Sequence, residues 1–197
     1  ELADLYAGLS DKQLNTPSLC GAWTVRDLLA HLCVPFEVSM PQFGLAMLRA
    51  RGSFGRANRA LTAQLAARPT AELVDLLRTN AEHRFTPPGG GELAPLAEIL
   101  VHGQDARIPL GVSDLRDPAT WEPALVFLVS PQGRRGFVPR PLPGAVRLVA
   151  TDVDWGHGSG EAVEGPGAAI ALALCGRPAG LPMLSGAGVG TLRAWIG

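Results

Sequence analysis

The chain has 197 residues, 17 of them basic and 18 acidic, for a formal net charge of -1. That balance argues against a nucleic-acid binder driven by phosphate neutralisation, and no apolar run of about 18 residues offers a membrane span. The length is enough for one large domain or two small ones with a real core.

Leu2, Leu5, Tyr6 and Leu9 recur at helical spacing and predict a first helix that ends before Asn15-Thr16-Pro17. The opening segment has no basic-then-apolar leader pattern. After the loop TPSLCGAW, Thr24 followed by Asp27 signs a helix start, a capping box with Asp in the place of Glu. In that helix Leu28, His31, Leu32 and Pro35 share a face, so His31 points inward with the apolar residues. Pro35 and Pro41 disturb the next turns, while Phe43 to Leu48 is apolar enough to continue as helix and ARGSFGR reads as a break. Residues 57–67 are helical by composition. Thr70 is expected to cap a further helix that buries Leu73, Val74, Leu76, Leu77 and Ala81. PPGGGE at 87–92 is a loop, and a helix follows over 95–111.

The composition changes after Gly111. Residues 117–130 predict a helix, and the Pro-, Gly- and Arg-rich stretch 131–144 a long connection. VRLVAT at 146–151 is the best strand, with a turn and a weaker strand after it. AAIALALCG is a small apolar helix ended by Gly176; a loop and a last short helix, TLRAWIG, close the chain. The expected fold is α+β: a four-helix bundle over 1–111, then a small α+β domain over 117–197. The three cysteines, Cys20, Cys33 and Cys175, have no zinc-finger spacing and cannot all pair within the chain. They read as small buried hydrophobes of a reduced, cytoplasmic protein.

The helix over 95–111 is apolar nearly all round, the mark of a buried helix, yet Glu98, His102 and Asp105 fall at i, i+4 and i+7 on one stripe. A buried carboxylate needs a partner. A divalent metal is one candidate and a hydrogen-bonded polar core is the other. Glu98 and His102, one turn apart, converge on one point, and His31 on a second bundle helix supplies a third ligand. Two His and one Glu leave an open position, the catalytic arrangement for zinc. Asp105 reads as a helix-end charge, as a partner for Arg107, or as an acceptor that orients an imidazole. His83 reads as exposed, and His157 lies in a glycine-rich turn between strands. No phosphate-loop motif and no serine nucleophile elbow is present.

Three segments, CGAWTVRDLLAHL, LAEILVHGQDARIPLG and RLVATDVDWGHGSGEAVEGPGAAIALALCGR, resemble in order the mycothiol-dependent maleylpyruvate isomerase family. The resemblance implies a DinB-like helical bundle that binds a divalent metal, usually zinc, with a C-terminal α+β domain similar to sterol carrier proteins. Such proteins are chiefly actinobacterial and include thiol-dependent isomerases and mycothiol S-transferases. The family's ligands fall on His31, Glu98 and His102. Its C-terminal arginine, which contributes to isomerase activity, has two candidates here, Arg177 and Arg193. The expected function is therefore that of a metal-dependent enzyme acting on a small electrophile through a metal-bound thiolate, with mycothiol as cosubstrate. A monomer or homodimer is expected. The alternative is a non-catalytic module of the same fold that binds metal and a small ligand, its metal closed by a fourth ligand such as Asp105.

Overall fold

The computed structural model describes residues 1–83 and 90–197, so part of the expected loop at 87–92 lies outside the described residues. The chain is α+β, with a helical N-terminal part and a small three-stranded sheet in the C-terminal part. Its contacts group into two compact units. One holds Glu1–Phe85 with Asp105–Val112, and the other holds Thr86–Gln104 with Ser113–Gly197.

In the first unit the expected opening helix is two short ones, α1 (Leu2–Ala7) and α2 (Asp11–Leu14). The break falls at a second helix start: Ser10 accepts from the Gln13 N–H, and the Gln13 side chain accepts in return from the Ser10 N–H. The next helix, α3 (Val25–Glu37), starts as expected. The Thr24 N–H donates to Asp27 Oδ2 at 2.8 Å, and the Asp27 N–H donates to Thr24 Oγ1 at 3.2 Å. Pro35 lies inside α3, and Ser39 then caps α4 (Met40–Arg49), which carries Pro41 in its first turn, where no helical N–H is lost. The expected break follows. Arg51 and Gly52 both take left-handed backbone, with φ of 52° and 75°, and turn the chain into α5 (Phe54–Ala66).

Thr70 is not a cap. It is the first residue of α6 (Thr70–Thr79), and its hydroxyl accepts instead from Arg26 Nη1 at 2.6 Å. Arg26 Nε also donates to the Ala66 carbonyl at 2.9 Å, and Nη2 donates to that of Arg68. One guanidinium on α3 thus satisfies carbonyls at the end of α5 that have no helical donor of their own. α3 packs on α5 and α6, α1 on α6, and α4 on α5. The core between them is built from Tyr6, Val25, Leu28, Leu29, Leu65, Leu73 and Val74.

The helix α7 (Ala94–Leu110) runs through the boundary between the two groupings. Ala94, Ala97, Leu100 and Val101 belong to the second unit's core, and Ala106 to the first's. Beyond it, Trp121–Leu128 forms α8 after a short 3-10 turn. The expected connection at 131–144 begins with a helix, α9 (Pro131–Gly136), capped by Ser130 through the Gly133 N–H. The sheet follows, with β1 (Val146–Ala150) at its centre, β2 (Gly156–Gly158) antiparallel on one edge and β3 (Glu161–Gly165) parallel on the other.

A parallel neighbour usually needs a long crossover. Here Gly158 and Gly160, with φ of 86° and 114°, let the chain pass around the start of β1 within a few residues. A Cβ at Gly160 would come to 2.4 Å from the Ala145 carbonyl oxygen, so no other residue fits there without a shift. The helix α10 (Gly167–Leu174) packs on α8 and on a 3-10 segment, Pro178–Met183, that interrupts the expected loop; α11 (Val189–Ile196) ends the chain.

Candidate functional site

Every residue of α7 from 100 to 107 is buried, although Ile99 and Ile108 are exposed. Six buried polar or charged side chains occur among the described residues, and four of them, His102, Gln104, Asp105 and Arg107, lie in this one stretch. A helix that buries so much polarity must satisfy it locally. Gln104 Nε2 donates to Asp114 Oδ2 at 2.7 Å, and Arg116 holds the same carboxylate through Nε at 2.8 Å and Nη2 at 2.6 Å. The Arg116 guanidinium in turn sits 5.6 Å over the Trp121 ring. Arg107 Nη2 pairs with Glu1 at 2.9 Å.

Glu98 and His102 face each other one turn apart, with Oε1 and Nε2 separated by 3.6 Å. That is long for a hydrogen bond. It is close to the spacing of about 3.3 Å between two ligands of a tetrahedral zinc with bonds of about 2.0–2.1 Å. His102 is buried and Glu98 half-buried, so a carboxylate and an imidazole share a sheltered position.

His31 lies on α3 as its helical phase predicts, and it is 9% exposed. Its ring packs at 4.8 Å from the Trp23 ring, so the loop before α3 restrains the imidazole. The same loop is tied to α7's backbone within the first unit: the Leu19 N–H donates to the Asp105 carbonyl at 3.1 Å. The Asp105 side chain is fully buried. Within the second unit, Glu98 and His102 are the two expected ligands that one helix brings together. His31 and Asp105 lie in the first unit, as does the half-buried Cys20, a residue of metal-ligating type that its sequence context had marked as packing.

The other two cysteines behave as expected. Cys33 is buried and donates to the Leu73 carbonyl at 3.3 Å. Burial pushes its thiol up to about 12, which leaves it unreactive. Cys175 is buried. His83 is exposed, its ring edge-on to Phe36. His157 lies on β2, where its Nε2 accepts from Arg134 Nη2 at 2.9 Å. Burial and the neighbouring guanidinium hold its imidazole below the usual histidine value. Of the candidate arginines, Arg177 donates through Nη1 to the Cys175 carbonyl at 2.6 Å, and Arg193 is exposed in the last turn of α11.

No helix among the described residues is long and apolar enough to cross a membrane. No curated protein and no solved structure matches the chain. The family model described as the mycothiol maleylpyruvate isomerase N-terminal domain matches residues 1–107, a span that includes His31, Glu98 and His102. More than half of the chain is covered, and the chain therefore belongs to that family.

Proposed function

We propose that the chain is a metal-dependent enzyme that uses mycothiol, as an isomerase or an S-transferase, on a small electrophile. The observation that supports this reading is the Glu98–His102 pair, sheltered on α7 with Oε1 and Nε2 3.6 Å apart, a spacing that a shared divalent ion would also suit. In this proposal His31, His102 and Glu98 would hold the ion, a donor chemistry of two imidazoles and one carboxylate that suits zinc.

When bound, the ion supplies the positive charge that converts a thiol, ordinarily of pKa about 8.5, into a thiolate at neutral pH. The protein's own side chains hold the frame. Helical spacing aims Glu98 and His102 at one point, and Trp23 limits rotation of the His31 ring. Asp105, three residues after His102 on the same helix, accepts from the His102 ring N–H and fixes its tautomer in this proposal. Arg193 is exposed on α11 and Arg177 donates to the Cys175 carbonyl, so Arg193 is the arginine we assign to a substrate carboxylate.

The test is turnover of maleylpyruvate and of a chloroarene by the metal-loaded protein, with and without mycothiol, together with calorimetric titration of mycothiol. Thiol-dependent turnover of either electrophile, lost in Glu98→Gln, is expected. Metal-loaded protein that neither binds mycothiol nor turns over either compound would remove the proposal.

A further inference from the structure

The first unit carries a concave feature that the proposed metal chemistry does not use. A groove of about 830 Å³ runs between the end of α3, α4 and α5. Its lining combines Leu45, Leu61 and Leu65 with four arginines, Arg49, Arg51, Arg56 and Arg68, and one carboxylate, Glu37. The volume is in the range of small-molecule sites, and apolar and polar groups share the lining about equally.

The charge there is not incidental to the chain's overall balance. Residues 38–71 contain five arginines and no acidic residue, which leaves 12 basic against 18 acidic residues in the remainder. The rim arginines are not equivalent. Arg68 is paired with Glu37 at 2.6 Å, and Arg56 donates through Nε and Nη2 to the Ala50 carbonyl. Arg49 and Arg51 are exposed, and neither side chain has an ion pair or hydrogen bond among the described residues. Arg51 is also the only non-glycine described residue with positive φ, at 52°. There its N–H donates to the Leu48 carbonyl and the Gly52 N–H donates to that of Met47, a left-handed cap that ends α4.

We propose that this groove binds a small amphiphile, a molecule with one anionic head group and an apolar body. Arg49 and Arg51 receive the head group and the leucine floor receives the body. None of the proposed metal ligands lines this groove, and binding there requires no metal.

The test uses the full chain and 1-anilinonaphthalene-8-sulfonate as probe, followed by fluorescence titration and by amide chemical shifts. The comparison is with a double variant, Arg49→Gln with Arg51→Asn, since Asn tolerates the left-handed backbone at the second position. One saturable site per chain is expected, with shifts confined to α4, α5 and the end of α3. Affinity in the double variant should fall by roughly tenfold or more, because two charge-assisted contacts are lost. Unchanged circular dichroism and melting temperature establish that the variant is folded; if it is not, Arg49→Gln alone provides the comparison. Equal affinity in the folded variant, or shifts lying elsewhere, would overturn the proposal. So would binding to phosphatidylglycerol vesicles without binding of the free probe, which would make the patch a lipid-surface contact.

Discussion

Two helices of this protein are buried along most of their length, and they differ in what they bury. All but one residue of α10 is buried, and its sequence, GAAIALAL, contains no polar side chain. Within α7, residues 100–107 are equally buried but include His102, Gln104, Asp105 and Arg107. The apolar helix is bought at no electrostatic cost, and hydrophobic transfer alone accounts for it. The polar helix needs an ion pair for Arg107 and a carboxylate network for Gln104, and its Glu98–His102 pair faces a shared position. A sequence that only had to fold would not place four such groups in six residues. On this reading α10 supplies architecture and α7 supplies chemistry.

The two helices should respond differently to substitution. Ile170 in α10 is fully buried, and Ile170→Ala should cost about 2–5 kcal/mol of stability by denaturant titration. Metal content per folded chain should not change. If the metal were lost along with the stability, the division between the two helices would fail.

Asp105→Asn sharpens the other side. It keeps the volume and removes the charge, so on the proposed orienting role metal affinity should fall by about 10–100-fold. Competition with a chelator measures this. Unaltered affinity would leave Asp105 as a purely structural buried group.

A smaller effect is expected where α3, which carries His31, begins. Thr24→Ala removes the hydroxyl that accepts from the Asp27 N–H and should cost about 1 kcal/mol, read as a lower midpoint with an unchanged slope. The smallest effect concerns His157. Its folded pKa is depressed, so the folded state prefers the neutral ring. The stability this contributes is present above the unfolded value near 6.5 and is lost as pH falls through the folded value. His157→Gln should flatten that part of the stability–pH curve, and an unchanged curve would contradict the assignment.

Much of this was legible in the sequence, for particular reasons. The stripe of Glu98, His102 and Asp105, the inward phase of His31, and the Thr24 cap all follow from local spacing on one helix. Local spacing is what a sequence displays without alignment. The family resemblance on the same segments agrees with the family that residues 1–107 match. The misses have equally local causes. Ser130-Pro131 is a good helix start, but two glycines and two arginines after it hid α9. Apolar spacing across residues 2–14 outweighed the capping box at Ser10 and fused two helices into one. Thr70 looked like a cap because nothing in the sequence announces that Arg26, 44 residues earlier, takes its hydroxyl. The groove was not legible at all, because its rim and floor come from three helices and become one surface only by packing.

In the proposed function α7 is a metal-binding helix, and metal content tests this with least inference. Protein purified without added metal would be analysed by plasma mass spectrometry, wild type beside His102→Ala, each confirmed as folded by circular dichroism. About one zinc or similar divalent ion per chain is expected in the wild type, the stoichiometry of a single His2Glu site, and its loss in the variant. A wild type that takes up no ion even after reconstitution with divalent metal, or a variant that keeps its full complement, would contradict it.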